Sequence, residues 1–149
     1  MILFVSPKDI YDIRLRILRA NKPIECVMFP QDYEKGSFHL GKNIDDKLVG
    51  VLSYSINDFP IQTSNTNCYQ LRGMAIEKEY AGKGIGQELC LFSEKILRVL
   101  KADFIWCNAR TSAIGFYAKQ GFSIFSDEFE IEDAGPHIIM GKKITFSSM

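Results

Sequence analysis

Charge of one sign, clustered cysteine, abundant histidine and long apolar runs are what this chain lacks. Its 18 basic side chains balance 18 acidic ones, so net charge gives no support for a nucleic-acid or other polyanion partner, and none is expected. The four cysteines, Cys26, Cys68, Cys90 and Cys107, are scattered, with no C-x-x-C pair and no histidine at zinc-ligand spacing. That pattern argues against a zinc site or a disulfide framework, and no metal is expected. Cys90 and Cys107 stand in apolar runs and read as small buried hydrophobes rather than catalytic thiols. No apolar run approaches bilayer length, and Ile2–Val5 is too short for a signal-peptide core. A cytoplasmic protein with no membrane partner is therefore expected. No repeat, low-complexity tract or linker appears, and one domain over residues 1–149 is expected. A chain of this length buries roughly 68–70% of its unfolded surface, enough to fold without a staple.

The elements alternate in a readable order. Residues 2–5 predict a strand, and Ser6-Pro7 predicts a helix start, with Ser as N-cap and Pro in the first turn. The apolar positions from Ile10 to Leu18, interleaved with Arg14, Arg16 and Arg19, predict an amphipathic helix ending near Asn21. Residues 22–36 read as a loop with room for one helical turn. Residues 37–44 and 48–57 predict a hairpin, residues 61–67 a polar turn, and residues 68–76 a third strand. The spacing of Ile85, Leu89, Phe92, Ile96 and Leu100 predicts a helix over 84–101, with Glu94 and Arg98 on its polar face. Residues 104–108 predict a buried strand, and Thr111 a cap for a short helix closing at Gln120, with Gly121 left-handed after it and Phe122 the apolar contact that follows. Strands over 122–131 and 137–144 complete the pattern. This order predicts an α/β (α+β) fold with a mixed, mostly antiparallel central sheet and helices on both faces.

The chemistry concentrates in Ala81-Gly82-Lys83-Gly84-Ile85-Gly86-Gln87, a glycine-rich loop between a strand and a long helix. Alternate glycines let backbone turn sharply and approach a ligand closely. The first helical N–H groups have no partner within the helix and carry the positive end of its dipole. Together they suit a phosphate or pyrophosphate, with Lys83 at the rim. The G-x-G-x-G spacing matches neither the dinucleotide fingerprint nor the nucleotide-binding P-loop, and a plain tight turn fits the loop equally well.

With Asn108-Ala109-Arg110, Ala113, Phe116-Tyr117 and Gly121-Phe122 downstream, the sequence resembles the GNAT superfamily of acyl-CoA-dependent N-acetyltransferases, over about residues 69–143. The resemblance implies a GNAT-like fold and acetyl-CoA as co-substrate. It implies that the backbone of Ala81 to Gln87 cradles the CoA pyrophosphate and that Met74, Ala75 and Ile76 line the pantetheine arm, Met74 and Ile76 by backbone hydrogen bonds. It also implies that Asn108, Ala113, Phe116 and Tyr117 line the pantetheine and thioester. The family's Gln or Arg at the first loop position is Ala81 here, which removes one side-chain contact and leaves the backbone ones. For Asn108, a ligand contact and a turn cap are both open readings.

The resemblance further implies that Tyr117 is the general acid, and a phenol of pKa about 10 suits protonation of a departing thiolate. Relatives with a glutamate on the strand before the loop find no counterpart in residues 70–76, which leaves His137 or a bound water as base. Arg72 and Arg110 read as solvated or ion-paired rather than as anion-holding residues. The expected acceptor is a primary amine of a small molecule or peptide, with residues 22–36 and 58–67 expected to shape its pocket, and the fold leaves a homodimer open. The alternative is a non-catalytic acyl-CoA-binding or sensory module of the same fold.

Overall fold

The computed structural model describes residues 1–61 and 66–144. Strand β1 (Ile2–Phe4) leads into helix α1 (Pro7–Leu18), whose N-cap is Ser6 with Pro in the first turn, as expected. Asp9 accepts hydrogen bonds from the Ser6 N–H and hydroxyl, each at 2.9 Å, which seals that end. Segment 22–36 holds two short 3-10 turns, Ile24–Val27 and Pro30–Tyr33, where one turn was expected. Strands β2 (Phe38–Ile44) and β3 (Lys47–Ile56) form the expected hairpin, joined by Asp45 and Asp46 at φ 50° and 61°. Two positive φ values match the right-handed twist of a hairpin, and Asp tolerates them. Strand β4 (Cys68–Ile76) follows; residues 62–65 of the expected polar turn lie outside the described residues. A 3-10 turn (Lys78–Tyr80) and the glycine loop lead to α2 (Ile85–Val99), then β5 (Phe104–Arg110), a 3-10 turn (Thr111–Ala113), α3 (Ile114–Lys119), and strands β6 (Ser123–Ile124), β7 (Phe129–Ile131) and β8 (Gly135–Lys143).

The strands are hydrogen-bonded in the order β1-β2-β3-β4-β5-β8-β6, with β7 also on β8. The β4–β5 pair is parallel, while β1–β2, β2–β3 and the three pairs made by β8 are antiparallel. The α/β class and the mixed, mostly antiparallel sheet are thus as the sequence implied. The chain divides into two compact units, residues 1–55 with 71–93, and residues 56–70 with those from Glu94 onward. In the first, Ile10 and Ile13 of α1 pack on Val51 of β3 and Ala75 of β4, with Val5, Ile17, Leu18 and Leu48 around them. Each such aliphatic side chain, fully buried, stabilises the fold by about 1.5–3 kcal/mol. In the second, Phe59, Cys68, Phe104 and Trp106 form the core, and the Trp106 indole N–H donates to the Asn57 carbonyl at 3.0 Å. Cys90 and Cys107 are buried, as expected.

Three local expectations need correction. The buried side of α2 runs through Ile85, Leu89, Cys90, Ser93, Glu94 and Leu97, whereas Leu100 is exposed. Glu94 leaves the polar face because Lys142 of β8 meets it at 2.8 Å, in addition to Arg98 at 3.5 Å. Thr111 opens a 3-10 turn and does not cap α3, whose N-cap is Ala113. The strand expected over 122–131 is two pieces, because Phe125 turns edge-on to Phe59 and Phe104, at 5.1 and 5.8 Å between ring centroids. At the other end of α3, Gly121 has φ 96° and Phe122 is buried, 5.4 Å from the Tyr117 ring, as expected.

Candidate cofactor-binding and active site

Within the first unit, β4 delivers Met74, Ala75 and Ile76 to the glycine loop. Ala75 is buried in the core, while Met74 and Ile76 are half-buried. Gly73, just before them, has φ +61°, and a Cβ there would lie 2.7 Å from Arg14 Nε. Only glycine fits both the conformation and the close approach. After β4 the Glu77 N–H donates to the Val49 carbonyl at 2.8 Å, and the Glu77 carboxylate takes a bidentate pair from Arg16 at 2.8 and 2.7 Å. That pairing holds the Glu77 carboxyl below the usual carboxylate range.

Beyond the turn, Ala81, Gly82, Lys83 and Gly84 are exposed, and Gly82 and Gly84 have φ 75° and 83°. A Cβ on either would meet nothing within 4 Å, so both are required by conformation and face open space. The Glu88 N–H donates to the Gly84 carbonyl at 3.0 Å as the helical ladder begins, and Gly86 and Gln87 lie in the first turn of α2. Ile85 turns inward and is buried. The loop therefore offers backbone, unencumbered by side chains, at the start of a 15-residue helix. That is a fit for a phosphate-bearing ligand such as CoA. Lys83 Nζ lies 5.4 Å from the Tyr80 ring centroid at its rim.

The second unit brings together the other residues singled out from the sequence. Asn108 is half-buried in the middle of β5, opposite Ile139 of β8, because the strand runs on to Arg110. It therefore neither ends the strand nor caps a turn. Ala113 and Phe116 are half-buried, and Tyr117 is buried on α3 with its ring edge-on to Phe116 at 5.2 Å. His137 is buried at the start of β8, opposite Arg110, and its Nδ1 lies 2.8 Å from the Gly135 carbonyl. A carbonyl only accepts, so Nδ1 carries the proton and a neutral ring has its lone pair on Nε2.

A buried polar network in the first unit was missed in the sequence. Arg14 is completely buried and makes a bidentate pair with Asp32 at 2.7 and 2.9 Å; it also donates to the Val27 carbonyl at 2.9 Å and to Ser53 Oγ at 2.8 Å. Its guanidinium lies 4.5 Å over the Phe29 ring. Ser53 in turn lies 2.6 Å from His39 Nδ1, and His39 Nε2 donates to the Asp32 carbonyl at 3.0 Å. Arg14 thereby pins both 3-10 turns of segment 22–36. Burial pushes the His39 imidazole below its ordinary value, against the opposing Asp32 hydrogen bond. Among the described residues, no group of three or more His, Cys, Asp or Glu could hold a metal ion, and no helix is long and apolar enough to cross a membrane.

Comparison with known proteins decides what this architecture belongs to. Residues 8–122 match the model of the acetyltransferase (GNAT) family. The chain belongs to that family. It is 37% identical over 143 residues to the uncharacterized N-acetyltransferase YitI of Bacillus subtilis (strain 168), covering 96% of this chain and 95% of that protein. Among solved structures, Ard1 from Thermoplasma volcanium superposes with a TM-score of 0.77 at 19% identity, over 98% of each chain. An aminoglycoside 6'-N-acetyltransferase solved with coenzyme A has a TM-score of 0.71 at 18% identity, over 100% of this GNAT chain and 99% of that one. These structural likenesses carry the fold. The family match and the YitI relative make this chain an acyltransferase of the N-acetyltransferase type.

Proposed function

We propose that this GNAT chain transfers an acetyl group from acetyl-CoA to a primary amine of a small molecule or peptide, in the cytoplasm, as one catalytic domain. The observation that carries the reading is the exposed, left-handed pair Gly82 and Gly84 at the N-terminus of α2. Backbone N–H groups from Gly82 to Gln87 hold the pyrophosphate there, the Ala81 N–H being taken by the Lys78 carbonyl at 3.1 Å, and the backbone of β4 at Met74–Ile76 holds the pantetheine arm. The family match spans residues of both units, which supports treating them as one domain.

Acetyl-CoA supplies an activated thioester carbonyl to the attacking amine. In this chain Asn108, Ala113 and Phe116 line the thioester, and the Tyr117 hydroxyl gives a proton to the departing thiolate. His137 Nε2 takes the proton from the amine. Neutralising a lysine-type amine of pKa about 10.4 at pH 7 costs nearly 5 kcal/mol, against about 1 kcal/mol for an α-amine near 8. A base is needed for the first and dispensable for the second.

The second reading, a non-catalytic acyl-CoA-binding module, draws support from Glu77: the carboxylate at the end of β4 is held by Arg16 and not available as a base. Release of CoA thiol from acetyl-CoA separates the two readings, with an alanine-terminated peptide, Nα-acetyl-lysine and a diaminoalkane as probes between pH 7 and 9. Amine-dependent thiol release is the expected result. Acetyl-CoA binding with no release above the amine-free rate for any probe would favour the binding module.

A further inference from the structure

The segment that carries the glycine loop is acidic before its neighbours are counted. Residues 77–88 hold Glu77, Glu79 and Glu88 against Lys78 and Lys83 alone. A loop that takes a pyrophosphate should not present three carboxylates to it, since like charges at these ranges repel. Each of the three is met by a cation from elsewhere in the first unit. Arg16 of α1 pairs with Glu77 at 2.7 Å and shares itself with Asp12 at 2.9 Å. Lys47, at the start of β3, pairs with Glu79 at 3.0 Å, and Lys42 of β2 pairs with Glu88 at 2.9 Å. With Asp12 included, the side chains of the segment and of these pairs amount to five cations against four carboxylates, and the sign of the segment reverses. The ion pairs hold the Glu77 carboxyl down and the Lys42 and Lys47 ammonium groups up from their ordinary values.

Resting on the acetyl-CoA reading of this loop, we infer that Arg16, Lys42 and Lys47 are positioning residues that cancel the carboxylates bordering the pyrophosphate site, and so set its affinity for acetyl-CoA without touching the cofactor. Stability is the ordinary role of a surface pair, but exposed pairs contribute little to it. Lys47 and Glu79 are both more than half exposed, at 55% and 64%, so loss of either leaves the fold intact.

This pair gives the sharpest test, because Lys47→Met and Glu79→Gln break the same contact and shift the charge in opposite directions. At low salt, titration calorimetry with acetyl-CoA is expected to show about two- to fivefold weaker binding for Lys47→Met and tighter binding by a similar factor for Glu79→Gln. The double variant is expected within about twofold of the unmodified protein, and all differences to shrink at 0.5 M KCl. Weakening in both single variants would assign the pair a merely structural role and overturn the inference, as would unchanged affinity in both. An unmodified protein that binds no acetyl-CoA would instead remove the cofactor reading itself, and the inference with it.

Discussion

Replacement of Tyr117 by Phe is expected to lower kcat about 10²- to 10³-fold while leaving the acetyl-CoA Kd within about twofold. The ring is packed between Phe116 and Phe122, at 5.2 and 5.4 Å between centroids, and phenylalanine keeps both edge contacts. Only the hydroxyl is lost. If that hydroxyl protonates the leaving thiolate, the cost falls in the chemical step and not in binding, because the interaction exists only as charge develops on sulfur. Steady-state kinetics together with calorimetry separate the cases. Unchanged kcat would take Tyr117 out of the chemistry, and a parallel fall in cofactor affinity and melting temperature would make it a packing residue.

The second large effect concerns stability. Asp32→Ala is expected to destabilise the protein by about 3–5 kcal/mol, because it strands the guanidinium of a completely buried Arg14. In a domain of this size, that lowers the melting temperature by about 10–15 °C. The carbonyl of Asp32 and Ser53 also fix His39, whose neutral form suits both of its contacts: Nε2–H donates to the carbonyl, and Nδ1 accepts from Ser53 as Ser53 accepts from Arg14. The folded His39 therefore binds its proton less readily than the unfolded chain does, whose value is 6.5. The unfolded state gains the proton first as pH falls, so this contribution is complete above pH 6.5 and declines below it. Urea unfolding is expected to show that acid-side loss in the unmodified protein and a smaller one in His39→Asn. A change below 1 kcal/mol for Asp32→Ala would mean that the network is not the anchor of segment 22–36.

What the sequence disclosed follows from how local each signal is. Ser6-Pro7, Asp45-Asp46, the glycine loop and Gly121-Phe122 announce their elements within a few residues, and the structure has each in the expected place. The burial of Arg14 was not foreseen, because an arginine interleaved among apolar positions on a helix carries no local mark of its partners. Its partners Val27, Asp32 and Ser53 are 13, 18 and 39 residues away. Glu94 was assigned to the polar side of α2 for the same reason, since Lys142 is 48 residues distant. The break between β6 and β7 depends on Phe125 turning toward Phe59 and Phe104, which an alternating apolar pattern does not reveal. The glycine-loop residues and Tyr117 were singled out through a recurring family pattern, and the roles given to them above are proposals. No acceptor was legible, because residues 22–36, expected to shape its pocket, carry no recognisable code and are held by the buried network rather than by local propensity.

Thermal unfolding with acetyl-CoA, against ATP and NAD as controls, shows whether the glycine loop serves a CoA cofactor. At a hundredfold excess over Kd, binding to the folded state stabilises it by about 2.7 kcal/mol, a rise of about 5–10 °C for a chain of this length. That rise is expected with acetyl-CoA alone. No shift at millimolar acetyl-CoA would contradict it and leave Gly82 and Gly84 as a structural turn feeding α2.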